Sequence, residues 1–135
     1  MKSEPGAYAI EDLARDRRTF WNGVRNYQAR NFMRDGMKPG DLVLFYHSNA
    51  EPPGVAGLAR VCGEARPEPD APTWVGVDLE FVERFLRILP LAALKAEPSL
   101  RDMLVLKRGM RLSVQPVEDR HVRKVLALAR SATRA

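Results

Sequence analysis

DLVLFYHS, residues 41–48, is a strongly β-prone run that is apolar on both faces as far as Phe45. A strand of that kind is covered on both sides, so it belongs near the centre of a sheet. Pro39-Gly40 turns the chain into it, and polar Tyr46, His47, Ser48 and Asn49 lead out of it. Pro52-Pro53-Gly54 then breaks the chain, and a second strand is predicted from about 54 to 66. RPEPDAP (66–72) reads as a loop. In TWVGVDLEFV (73–82), Val75, Val77, Leu79 and Phe81 alternate with Trp74, Gly76, Asp78 and Glu80, the period-two pattern of a half-buried strand. RLSVQ (111–115) predicts one more short strand.

Helices flank these strands on both sides in sequence. YAIEDLAR (8–15) reads as a short helical turn carrying Ile10 and Leu13. Asn26 is a suitable N-cap for a helix over 27–35, and Gly36 a stop signal. Within it Ala29, Phe32 and Met33 share the core-facing side, while Tyr27, Arg30, Asn31 and Arg34 share the opposite one. Pro90 opens a helix over LAALKA, and Pro98 opens a further turn, SLRDM. From about 117 a last helix places Val122, Val125, Leu126 and Ala129 on one stripe. Strands in sequence with short connections favour an antiparallel or mixed sheet. The expectation is an α+β fold, a curled or barrel-like sheet flanked by short helices, formed by residues 1–135 as one domain.

No apolar run approaches the roughly 18 residues of a membrane span, and MKSEPG has no export signal, so a membrane association is not expected. Cys62 is the only cysteine. Its strand-like setting, Ala59 to Gly63, predicts a buried packing residue and fits a reducing, cytoplasmic home. A monomer is expected. The net charge of +5 favours polyanionic partners, above all nucleic acid. The positive charge is clustered at Arg15, Arg17 and Arg18, at Arg25, Arg30 and Arg34, and at Arg120, Arg123, Lys124, Arg130 and Arg134.

Catalytic and metal signatures are absent from the sequence: there is no phosphate loop, no GxSxG elbow and no HExxH. His47 and His121 have no partners at ligand spacing, so neither a metal nor a cofactor is expected. His121 is predicted to be solvated on an exposed helix. His47 is open between a structural role and a binding one. Glu4, between Ser3 and Pro5, reads as a cap or ion-pair partner before an acid–base group. The remaining candidates are binding groups. Trp21 precedes the Asn26-capped helix, and Arg25, Asn26, Tyr27, Arg30 and Asn31 follow it within ten residues. Cations that meet phosphate and rings that stack unpaired bases are the two components of nucleic-acid sites. Ser48, Asn49, Ser113 and Gln115 are candidates for base-edge hydrogen bonds. Two other readings stay open: a base- or nucleotide-processing hydrolase using Glu4 and His47, and a protein-interaction module.

KSEP (2–5), WNGVRNYQARN (21–31), MKPGDLVLFYHSN (37–49), PPGVAGLARV (52–61) and RLSVQPV (111–117) together resemble the EVE domain family. That family belongs to the PUA-like superfamily and is similar to YTH and ASCH domains. The resemblance implies a pseudo-barrel whose pocket accepts one flipped, modified base, a modified cytosine or adenine in DNA or RNA. By the same resemblance Ser3 and Glu4 lie at the pocket rim, Trp21 stacks on the base, and Val24, Arg25 and Asn26 form wall. Tyr46, His47, Ser48 and Asn49 border the cavity, and Ser113 and Gln115 close it. Arg25, Tyr27, Arg30, Asn31 and Arg34 are assigned to the phosphate backbone.

Overall fold

The computed structural model describes residues 1–3, 5–6, 8–48, 50, 52–103 and 114–132. Six strands and four helices follow one another as β1 (Lys2–Ser3), α1 (Ile10–Asp16), β2 (Arg18–Trp21), α2 (Tyr27–Asp35), β3 (Leu42–His47), β4 (Gly54–Val61), β5 (Arg66–Glu68), β6 (Ala71–Pro90), α3 (Leu91–Ala96) and α4 (Asp119–Ala132), with a 3₁₀ turn at Pro98–Leu100 before α4. The sheet runs β1-β3-β4-β6-β2, with β5 beside β6. Among the described residues only β1 against β3 is parallel, so the sheet is mixed. As the apolar run 41–48 implies, β3 is an inner strand, flanked by β1 and β4.

Strand β6 organises the rest. It is 20 residues long and pairs with β5 and β2 through its first half and with β4 through its second. The register shifts twice along the β4–β6 ladder, between Val55 and Gly57 and between Leu58 and Ala59. Extra residues of this kind bend a strand and add twist, which curls the sheet into a half-barrel. Alternation along β3 then feeds two cores. Val43 and Phe45 join Ile10, Leu13, Ala29 and Met33 from α1 and α2. Leu44 and Tyr46 join Leu94, Leu100, Val125 and Ala129 from α3, the 3₁₀ turn and α4. Leu42, at the entrance to the strand, is left exposed.

Local signals set α2. Asn26 Oδ1 accepts the N–H groups of Gln28 (2.9 Å) and Ala29 (3.1 Å), and the helix ends at Gly36. Ala29 and Met33 are buried and Phe32 half-buried, as their spacing predicts. Gly76 of β6 has a different role. A Cβ there would lie 2.5 Å from the Trp21 carbonyl oxygen and 2.6 Å from Phe20 Cζ, so β2 approaches β6 only because the residue is glycine. Gly76→Ala is therefore expected to cost about 1–3 kcal/mol through backbone displacement. A urea melt of the variant measures it.

Several sequence expectations are corrected here. The second strand ends at Val61 rather than near 66, and residues 66–72 are not a loop: Arg66–Glu68 forms β5 and turns directly into β6. The strand expected over 73–82 continues to Pro90. Residues 111–113 of RLSVQ lie outside the described residues, and Val114 and Gln115 are not in a strand. Cys62 is half-buried rather than buried, and its thiol is pushed upward by what burial there is. His121 is not solvated: it is buried in α4, with Nε2 2.8 Å from Asp102 Oδ1. No helix among the described residues is long and apolar enough to cross a membrane.

Candidate nucleic-acid interface

Trp21 ends β2 opposite Val77 of β6 and sits half-buried against the first core. Tyr8 and Phe45 meet it edge-on, at centroid distances of 6.1 and 5.6 Å and interplanar angles of 79° and 82°. Among the described residues no ring lies parallel to the indole. The surroundings are fixed by polar contacts. Tyr8 Oη donates to Asp16 Oδ2 at 2.9 Å, and Ser3 Oγ donates to the Tyr8 carbonyl at 2.5 Å. Ser3 stands opposite His47 in the β1–β3 pairing, and Ser48 N donates to the Ser3 carbonyl at 2.8 Å. Val24, buried in the same core, backs the turn that follows Trp21. The structure thus brings Ser3, Trp21, Val24, His47 and Ser48 into one neighbourhood, and adds Tyr8, which the sequence reading placed only in a helical turn. Glu4, Asn49 and Ser113 lie outside the described residues.

His47 makes a buried structural contact. It is 4% exposed, and its Nε2 accepts the N–H of Ile10, the first residue of α1, at 3.1 Å. Burial pushes the imidazole below its ordinary range, against a smaller upward pull from the Glu11 carboxylate. A proton on Nε2 would remove the acceptor Ile10 uses. The stability His47 contributes is therefore complete above its unfolded value, about pH 6.5, and is lost as the pH falls through the depressed folded value. Urea melts between pH 7.5 and 5 are expected to show this acid-side loss in the native chain and not in His47→Phe. That variant, which leaves the Ile10 N–H unpaired, is expected to lose about 1–3 kcal/mol at neutral pH.

Tyr46 does not border this neighbourhood. Its side chain enters the second core, on the other face of β3 from Phe45 and His47. With Gln115, Leu44, Val55 and His121 it lines a separate cavity of about 40 Å³. Tyr46 and Gln115 thus lie together on the side of the second core.

A second constellation forms where β5 and β6 meet the start of α2. The Arg25 guanidinium grips the Glu68 carboxylate with both nitrogens, at 2.7 and 2.9 Å, and Glu68 also accepts the Gly23 N–H at 3.2 Å. The Arg25 contact first, and Gly23 to a lesser degree, hold the buried Glu68 carboxyl below its ordinary range. Arg25 lies 5.2 Å from the centroid of the Trp74 ring, which stacks on Tyr27 at 4.8 Å and 26°. Arg30 lies 4.8 Å from the Tyr27 centroid and donates to the Thr73 carbonyl at 2.9 Å, with Asn31 Oδ1 accepting from its other nitrogens. Of the residues assigned to phosphate, Arg34 pairs with its neighbour Asp35 and stands apart from this cluster. Glu68 and Trp74 were missed by the sequence reading. The one signal for them was a tryptophan on the polar register of a half-buried strand.

The basic clusters seen in the sequence are largely neutralised. Arg15 pairs with Asp12 and Asp16, Arg18 and Arg60 with Glu80, Arg66 with Asp78, and Arg130 with Glu83. Arg120 donates to both Asp102 and Glu118. Asp102, Glu118 and His121 bring ligand-capable atoms within 4.8 Å of one another, and His121 first and Arg120 second hold Asp102 down to about 2. With the guanidinium already on both carboxylates, this group reads as a tie between α4 and the preceding turn.

The family model described as EVE domain matches residues 1–128. Human thymocyte nuclear protein 1 is 38% identical over an alignment covering 95% of this chain and 72% of the human protein. Among solved structures, a protein from Pseudomonas syringae superposes with a TM-score of 0.90 at 38% identity, covering 96% of this chain and 97% of that one. The human THYN1 protein in complex with 5-methylcytosine-containing DNA superposes with a TM-score of 0.84 at 38% identity, covering 96% and 95%. These matches agree with the PUA-like half-barrel described above.

Proposed function

The chain belongs to the EVE domain family, and from that membership we propose that it is a non-catalytic nucleic-acid-binding module that captures one modified base flipped out of its strand. The observation that carries this reading is the human relative in complex with DNA containing 5-methylcytosine. A modified cytosine is accordingly the leading ligand. Trp21 is the stacking surface, with Ser3, Val24, Asn26, His47 and Ser48 around it. Glu4, Asn49 and Ser113 are further edge groups carried by the family resemblance.

The energetics favour modest affinity. Unstacking a base costs a few kcal/mol. Stacking on an aromatic ring returns about 1–3 kcal/mol, and each net hydrogen bond about 1 kcal/mol. Burial of one added methyl group contributes about 0.8 kcal/mol, roughly a fourfold preference. Sharper selectivity requires hydrogen bonds that the wrong base leaves unpaired.

His47 weighs against acid–base chemistry, because its Nε2 already accepts the Ile10 N–H. The test is a binding panel of oligonucleotides that differ by a single modified base, in DNA and in RNA, followed by mass analysis of the incubated strands. At least one modified base is expected to bind several-fold more tightly than its unmodified counterpart, with every strand recovered intact. Equal binding across the panel, or turnover that is lost in Glu4→Ala, would reject the proposal.

A further inference from the structure

We propose that Tyr27 and Trp74 form a second stacking platform, which takes an unpaired nucleobase next to the captured one. This rests on the base-capture reading and extends it from a single base to its neighbour. Tyr27 is 59% exposed in the first turn of α2, yet its ring is held parallel to Trp74 at 4.8 Å. Arg30 lies over the pair, 4.8 Å from Tyr27 and 6.0 Å from Trp74, and is fixed by the Thr73 carbonyl. Arg25 approaches Trp74 and is fixed by Glu68. Two rings and two guanidiniums are thus ordered before any ligand arrives, which lowers the entropic cost of binding.

A clamp that merely joined α2 to β6 would not need so exposed a ring. An aromatic stack bordered by cations suits another π-system followed by a phosphate, and stacking of this sort is indifferent to base identity. The two guanidiniums then divide the work. Arg25 is charge-paired with Glu68, so it braces Trp74. Arg30 has no ion pair among the described residues, so it supplies the charge for phosphate. The platform is tied to the chain that follows Trp21, because Gly23 and Arg25 of that turn both donate to Glu68. Stacking of this kind needs an unpaired base, so the preferred ligand is single-stranded beside the modified base.

Fluorescence anisotropy tests this with single-stranded DNA carrying one 5-methylcytosine and an abasic residue at each flanking position in turn. In the native chain one flanking position is expected to weaken binding about tenfold when abasic. Tyr27→Leu and Trp74→Leu should each bind the intact strand about tenfold more weakly and no longer sense the abasic residue. Tyr27→Phe should keep most of the affinity. Arg30→Gln should reduce the slope of log affinity against log salt by about one. Exposed Tyr27 carries the comparison if Trp74→Leu melts early. The platform is overturned if folded Tyr27→Leu binds normally, if the abasic penalty persists in it, or if a fully paired duplex binds as well as the single strand. Retained preference for 5-methylcytosine without a flanking penalty rejects the platform alone. A flanking penalty without that preference rejects base capture at Trp21 alone. No binding to any strand rejects both.

Discussion

Trp21→Ala is expected to weaken binding of a modified oligonucleotide by about 5- to 150-fold, the equivalent of the roughly 1–3 kcal/mol that stacking supplies. No ring lies parallel to the indole among the described residues, and Tyr8 and Phe45 hold it edge-on. Truncation also removes packing against the first core, so some stability is lost. Trp21→Phe separates the two effects, since it retains an aromatic face and should retain most of the affinity. Anisotropy titrations beside thermal melts measure both. Native affinity in a folded Trp21→Ala variant would remove Trp21 from the site.

Glu68→Ala should change binding in the opposite sense for charge and for selectivity. Its carboxylate holds Arg25 and the Gly23 N–H together, and so fixes the turn between Trp21 and α2. Without it the Gly23 donor loses its partner, at a cost of about 1–3 kcal/mol. The Arg25 contact adds little to that, because the guanidinium is half-exposed and screened. Freed of its counterion, Arg25 becomes available to phosphate. The salt dependence of binding is expected to steepen by about one in slope, while the preference for the modified base falls several-fold as the turn loosens. The same pair gives an acid-side signature. Glu68 has a folded value below the ordinary 4.5, so its contribution is present above that pH and is lost as the pH falls through the folded value. Denaturation curves from pH 6 to 3 should show a step that is absent in Glu68→Ala. An unchanged salt slope would mean that Arg25 never reaches the strand.

The parts of the fold legible in the sequence were those set by neighbours along the chain. Asn26 caps α2 through N–H groups two and three residues on, and Pro90 begins α3, so both boundaries follow from local chemistry. Alternation along 73–82 marked the first half of β6. It then fails at Glu83 and Arg84, where the ladder to β4 has just shifted register, and the continuation to Pro90 was hidden. Pro67 made 66–72 read as a loop, but a three-residue strand beside β6 alone tolerates a residue without an N–H. The candidate site was half legible for a related reason. The residues near Trp21 were named, and strand alternation already sends Tyr46 and His47 to opposite faces, but because β3 is apolar on both faces its sequence did not say which face lies beside Trp21. His121 and Trp74 owe their settings to Asp102 and Tyr27, distant in sequence, and no local pattern reports such partners.

Base capture is tested most directly by the crystal structure of the chain with a short oligonucleotide containing one 5-methylcytosine. It predicts the modified base out of its strand, with its ring parallel to the indole of Trp21 and its neighbours outside the pocket. A complex in which that base stays stacked in its strand, with Trp21 untouched, would contradict it.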